Sequence, residues 1–126
     1  MKQIINTSKA PAPIGPYNQA VLCGNTLYIS GQIPMNVETG TLVEGDIKKE
    51  TEQCMRHLKA ILEEAGMTFE NVVKTSIFLK DMHQFAAVNE VYGTYFDPAT
   101  APARETVEVA NLPKFVNVEI SMIAVR

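Results

Sequence analysis

Arg104, Glu119 and Tyr17 are the side chains of this chain whose type and setting best suit them to chemistry. Arg104 follows an uncharged stretch, Ala99-Thr100-Ala101-Pro102-Ala103. A guanidinium turned inward needs a planar anion to offset its desolvation, and a carboxylate matches its fork. Two partners answer that need: an internal carboxylate from Glu105, Glu108 or Glu119, or the carboxylate of a substrate. The residues alone leave both open. Glu119 stands in mid-strand among apolar neighbours. A carboxylate there is either paired with Arg104 or another base, or is a proton acceptor with a raised pKa. Tyr17 follows Gly15-Pro16 in a loop. Plain ring packing, with the hydroxyl at the surface, competes with a chemical role for it.

Other chemistries lack their residues. The two histidines, His57 and His83, have no second His, Cys or carboxylate at metal-ligand spacing, so no metal is expected. Both read as surface residues of helices. No GxSxG, P-loop or GxGxxG occurs. Cys23 and Cys54 are far apart in sequence, belong to no CxxC pair, and read as small core thiols. The 11 Lys and Arg stand against 14 Asp and Glu, a net charge of −3, and Lys48-Lys49 is the longest basic run. A phosphate backbone needs a basic stripe, so nucleic acid is not an expected partner. Met1 to Asn6 hold no long apolar stretch, and no run is long enough for a bilayer. The expectation is a cytoplasmic protein with no membrane partner.

These side chains must be positioned by the elements around them. With 126 residues, 46% hydrophobic and 20% charged, the chain fits one globular domain spanning residues 1–126. Strands are predicted at 2–5, 19–22 and 26–30, the last two joined by a turn at Gly24-Asn25. The Pro/Gly-rich stretch 10–17 reads as a packed loop. Ile47, Thr51, Cys54, Met55, Leu58, Ile61, Leu62 and Ala65 recur at helical spacing, which predicts a helix over 47–65 capped by Asp46 and ended by Gly66. A strand over 71–79 follows, with Val73, Thr75, Ile77 and Leu79 on one face. A second helix is predicted over 82–96, with an Asp81/Gln84 capping box and Phe85, Val88, Tyr92, Tyr95 and Phe96 as its apolar face. Strands at 104–109 and 116–125 complete the order β-β-β-α-β-α-β-β, an α+β fold with both helices on one face of the sheet.

The other sheet face is unusual. In the last strand Asn117, Glu119, Ser121, Ile123 and Val125 alternate with the core positions, so this face begins polar and ends apolar. In the fifth strand Val107 and Val109 are expected on the core side, and Arg104, Thr106 and Glu108 on the far side. That gives a mixed face of Tyr28, Ser30, Arg104, Thr106, Glu119, Ile123 and Val125. Such a face is better covered by a second copy of the chain than left in water.

Three segments carry a resemblance: Ala12-Pro13-Ile14-Gly15-Pro16-Tyr17-Asn18-Gln19-Ala20, Tyr28-Ile29-Ser30-Gly31-Gln32-Ile33-Pro34, and Ala101-Pro102-Ala103-Arg104-Glu105-Thr106-Val107-Glu108-Val109-Ala110-Asn111-Leu112-Pro113-Lys114. In order and spacing they resemble the signatures of the Rid (reactive intermediate deaminase) family, in its RidA branch, from end to end of the chain. The resemblance implies a chorismate-mutase-like fold and a homotrimer whose sheets form a central barrel with clefts between subunits. It also implies cofactor-free hydrolysis of 2-iminobutanoate and 2-iminopropanoate to 2-oxo acids and ammonium. Carried over, Arg104 would bind the substrate carboxylate bidentately. Ser30 and the Gly31 N–H would lie in the same cleft, and Tyr17 would close over the substrate. Glu119 would position or deprotonate the attacking water, and the backbone around Thr106 would help to hold it. Phe85 and Asn89 would line the pocket.

One departure matters. Many relatives carry a cysteine where this chain has Thr106, so covalent catalysis by a thiol is excluded there. Two rival functions are a ribonuclease or translation inhibitor, which the acidic balance and lack of a general-base His disfavour, and a non-catalytic binder of small carboxylates using the same clefts.

Overall fold

Short runs of alternating residues form six strands, and two stretches of helical periodicity form the layer that covers them. The computed structural model describes residues 1–126. The strands are β1 (Lys2–Ile5), β2 (Ala20–Cys23), β3 (Thr26–Gln32), β4 (Val72–Leu79), β5 (Ala103–Glu108) and β6 (Val118–Val125). The helices are α1 (Ile47–Glu64), between β3 and β4, and α2 (Phe85–Gly93), between β4 and β5. The sheet order is β1-β2-β3-β6-β4-β5, and only the β4–β5 pair is parallel. A parallel pair needs a crossover connection, and α2 is that connection. The β-β-β-α-β-α-β-β order is as expected.

The apolar stripe of α1 and the inward residues of the strands make one core. Met55, Leu58, Ile61 and Leu62 pack with Leu27, Ile29, Ile77, Leu79, Val118, Ile120 and Met122, all buried. Asp46 starts α1 by accepting from the N–H groups of Lys48 and Lys49 at 3.0 and 3.4 Å. Gly66, at φ +74°, ends it, since left-handed backbone costs a side-chain-bearing residue more.

Five local readings are corrected, the first being Cys23, which is exposed rather than in the core, while Cys54 is buried. In β4, Val72 is buried and Val73 is 48% exposed, because a bulge between Val72 and Lys74 shifts the alternation. In β5 the faces are inverted. Parallel pairing sets Arg104 beside Thr75 and Thr106 beside Ile77, so both point to the helix side, while Val107 lies on the open side. The second helix is shorter than predicted. It opens with a 3₁₀ turn over Met82–Gln84, where Asp81 caps the His83 N–H, and its α-helical part stops at Gly93. His57 is 1% exposed, not at the surface, with Nε2 2.6 Å from the Met35 carbonyl oxygen. His83 is a surface residue beside Asp81.

Candidate active site

The predicted site residues gather in two groups, one on each face of the sheet. The first group forms where the N-terminal loop crosses the end of β3. A bulge between Ile29 and Gln32 displaces Ser30 and Gly31 from the regular ladder with β6. Glu119 of β6 lies directly over Gly31. A β-carbon built on Gly31 would stand 2.8 Å from Glu119 Cγ and 2.6 Å from Cδ, and would also meet Oε2. Only a residue without a side chain admits the carboxylate here.

Glu119 is half-buried and has neither a hydrogen bond nor an ion pair within the protomer. Burial pushes its pKa up. Ile14, Tyr17, Ser30, Gly31, Ile33, Pro113 and Glu119 line a cleft of about 320 Å³. Ser30 is tied into this group, its Oγ donating to the Asn18 carbonyl at 2.6 Å. Tyr17 is 48% exposed, and its hydroxyl oxygen accepts from the Ile14 N–H at 3.4 Å.

The second group is built on β5 and α2. Arg104 Nη1 donates to Asn89 Oδ1 at 2.8 Å, which fixes one edge of the guanidinium. Its Cζ lies 5.0 Å from the Tyr92 ring centroid and 5.6 Å from that of Phe85. A cation over aromatic rings is attracted by their negative faces and held away from other geometries. Tyr92 is anchored in turn, its hydroxyl donating to Thr75 Oγ1 at 3.0 Å. Burial raises the Tyr92 pKa, so the phenol stays a donor.

No carboxylate of the protomer pairs with Arg104. Glu105 binds Lys74 at 2.9 Å and Ser76, and Glu108 accepts from the Met82 N–H at 2.8 Å. Glu119 pairs in register with Phe78 while Arg104 pairs with Thr75, so the two lie on opposite faces. The internal ion pair left open by the sequence is therefore absent. Thr106 Oγ1, two residues on from Arg104, is buried with no hydrogen-bond partner.

Of the residues expected at one site, the structure joins Tyr17, Ser30, Gly31 and Glu119 in one group. It joins Phe85, Asn89 and Arg104 in the other, with Thr106 on the same face. It does not join the two groups within one copy. Tyr92 was read only as core, yet it stands three residues after Asn89 and seven after Phe85, so helical spacing placed it on their face. Ile14 and Ile33 carried no signal beyond their neighbours in the motifs.

Two helices on a mixed six-stranded sheet, with a guanidinium lacking a carboxylate partner on one face and a carboxylate cleft on the other, mark a class of α+β sandwich. Within that class, residues 7–126 match the family model described as endoribonuclease L-PSP. A RutC family protein of Synechocystis is 55% identical over 124 residues, 98% of this chain and 95% of that protein. The 2-iminobutanoate/2-iminopropanoate deaminase of Rattus norvegicus is 48% identical over 126 residues, 100% of this chain and 91% of that protein. A Rid family protein of Yersinia pestis, 47% identical, superposes with a TM-score of 0.97 over 100% of both chains. The chain belongs to the Rid family. No helix is long and apolar enough to cross a membrane.

Proposed function

We propose that this chain is a 2-iminobutanoate/2-iminopropanoate deaminase, hydrolysing small 2-imino acids to 2-oxo acids and ammonium. The observation that carries the reading is Arg104. It is a guanidinium oriented by Asn89 and two aromatic rings with no internal carboxylate partner. That is the state of a group kept for an external planar anion. The 48% identity to the rat deaminase supports the same substrate class.

The site works as a complete unit if Arg104 of one copy faces the Tyr17–Glu119 cleft of another, in the homotrimer that the family resemblance implies. Arg104 then holds the substrate carboxylate. A water molecule held near Glu119 and the Thr106 backbone adds its oxygen to the iminium carbon, and Glu119 takes one of its protons. The protonated Glu119 returns that proton to the carbinolamine nitrogen, the C–N bond breaks as the carbonyl forms, and the nitrogen takes the hydroxyl proton as well and leaves as ammonium, so that Glu119 is again ionised. An iminium carbon is already electrophilic, so orientation and one proton acceptor meet most of the demand. Ser30, Gly31, Phe85 and Asn89 shape the pocket, and Tyr17 covers it.

The test generates the imine with an amino-acid oxidase in the presence of semicarbazide. The wild type suppresses trapping of the imine, and Arg104→Ala does not. Unchanged trapping by the wild type with several imines would refute the reading. The family model's description also names an endoribonuclease. Neither histidine favours that chemistry, since His57 is buried against Met35 and His83 is a surface partner of Asp81. Binding to RNA with a steep salt dependence would reopen it.

A further inference from the structure

Gln19 is not among the residues assigned to the site, yet its bonds close the loop that carries Tyr17. Its side chain is buried, with 2% of the residue exposed. Oε1 accepts from the Thr7 N–H at 2.7 Å. Nε2 reaches the carbonyl oxygens of Thr7, Ala10 and Pro11 at 3.0, 3.1 and 2.9 Å. The Gln19 backbone N–H donates to Asn6 Oδ1, and its carbonyl accepts from the Ser30 N–H. One residue therefore joins the base of the N-terminal loop to the strand pair that holds Ser30 and Gly31.

Beyond Pro11 the loop has little of its own. From Ala12 to Tyr17 its hydrogen bonds are internal, Tyr17 N–H to the Gly15 carbonyl and Ile14 N–H to the Tyr17 hydroxyl. Ile14 and Tyr17 form one wall of the cleft over Glu119. The chain from Pro11 to Gln19 is thus a closed loop whose two ends meet at the Gln19 amide. The position of its wall depends on that closure.

We propose that Gln19 is a positioning residue for the deaminase reaction, setting the Ile14–Tyr17 wall that covers bound substrate. This rests on the proposed function. The amide is suited to the task because it presents donors to carbonyl oxygens and an acceptor to an N–H at once. A carboxylate of the same shape keeps the acceptor and loses the donors. Ionised, it faces the Ala10 and Pro11 carbonyls and opens the loop. Protonated, it can still donate to one of them.

The experiment is Gln19→Glu in the full chain, with imine hydrolysis measured from pH 5.5 to 9. The expected result is a KM raised about tenfold at high pH, with kcat changed far less, since a buried hydrogen-bond contact is being broken. The variant-to-wild-type ratio of kcat/KM should recover as pH falls and the introduced carboxyl is protonated. In a Tyr17→Ala background the Gln19→Glu change should have little further effect, because the wall it positions is already gone. Backbone hydrogen exchange over residues 7–17 should speed up in Gln19→Glu at high pH. It reads the loop without substrate, so it stands even if the wild type proves inactive on imines. If Gln19→Glu does not fold, Gln19→Asn, which keeps the amide but shortens its reach, should show the same KM rise and faster exchange. A pH-independent ratio, a loss in kcat alone, additive effects with Tyr17→Ala, or unchanged exchange over residues 7–17 would overturn the proposal.

Discussion

At the residue scale, the proposed site depends on Arg104 and Glu119, two charged groups whose surroundings give them no ion-pair partner. Arg104 offers a planar fork, and lysine offers a point charge with different reach and no stacking on Phe85 and Tyr92. Arg104→Lys should lower kcat/KM for imine hydrolysis by roughly 10- to 100-fold, the scale of one charge-assisted contact. Turnover near the wild-type level in the semicarbazide assay would rule out the bidentate role. Glu119 gives a prediction in pH. Its folded pKa is raised by burial, so the folded state binds its proton more tightly than the unfolded chain does. Stability therefore falls as pH rises from the ordinary carboxylate value through the raised one. Glu119→Gln removes that cost. It should melt above the wild type at pH 7 and converge with it below about pH 4, where both states are protonated. Equal melting temperatures at both pH values would contradict the burial argument.

At the scale of elements, two devices place these groups. The β3 bulge brings Gly31 under Glu119, so Gly31→Ala forces the carboxylate aside. Activity should fall about 100-fold, the scale of a misplacement near 1 Å, while circular dichroism stays that of the wild type. A variant with wild-type kcat/KM would show that the close approach is dispensable. The crossover helix α2 carries Phe85, Asn89 and Tyr92 to Arg104, and Tyr92 is fastened by Thr75. Tyr92→Phe strands the Thr75 hydroxyl and should cost about 1–2 kcal/mol in urea unfolding. Because the ring under Arg104 remains, KM should hardly move. A large KM change with unaltered stability would give the phenol a role in the site itself.

At the scale of the whole molecule, the two groups stand on opposite faces of one sheet, and the open face exposes Tyr28, Val73, Val107 and Val125. In the proposed homotrimer, one copy lends Arg104 to the Glu119 cleft of the next. Co-expression of Arg104→Ala with Glu119→Gln tests this directly. Each variant alone should be inactive. Random mixing should restore about one quarter of the sites, since each site then draws its two groups from different copies. Activity no higher than that of the parents, in trimers shown to be mixed by mass, would place both groups in one copy.

The element order and the caps of α1 were legible in the chain, because periodicity and capping are local properties of the sequence, whereas Ser30, Gly31, Phe85 and Asn89 were named as site residues only through the family resemblance and Tyr92 was read as core. The three motifs identified the family for the same reason, since each is a contiguous run of residues. Which face Arg104 occupies was not legible. Alternation fixes only that Arg104 and Thr106 share a side opposite Val107, and parallel pairing with β4 decides which side that is. The burial of His57 against Met35 and the outward turn of Val73 escaped for a related reason, since one depends on a distant loop and the other on a bulge. Residue types and local periodicity gave the candidate side chains and the order of the elements. That Arg104 and Glu119 face apart follows from how β4 pairs with β5 and β6, since strand pairing joins residues that no local pattern relates.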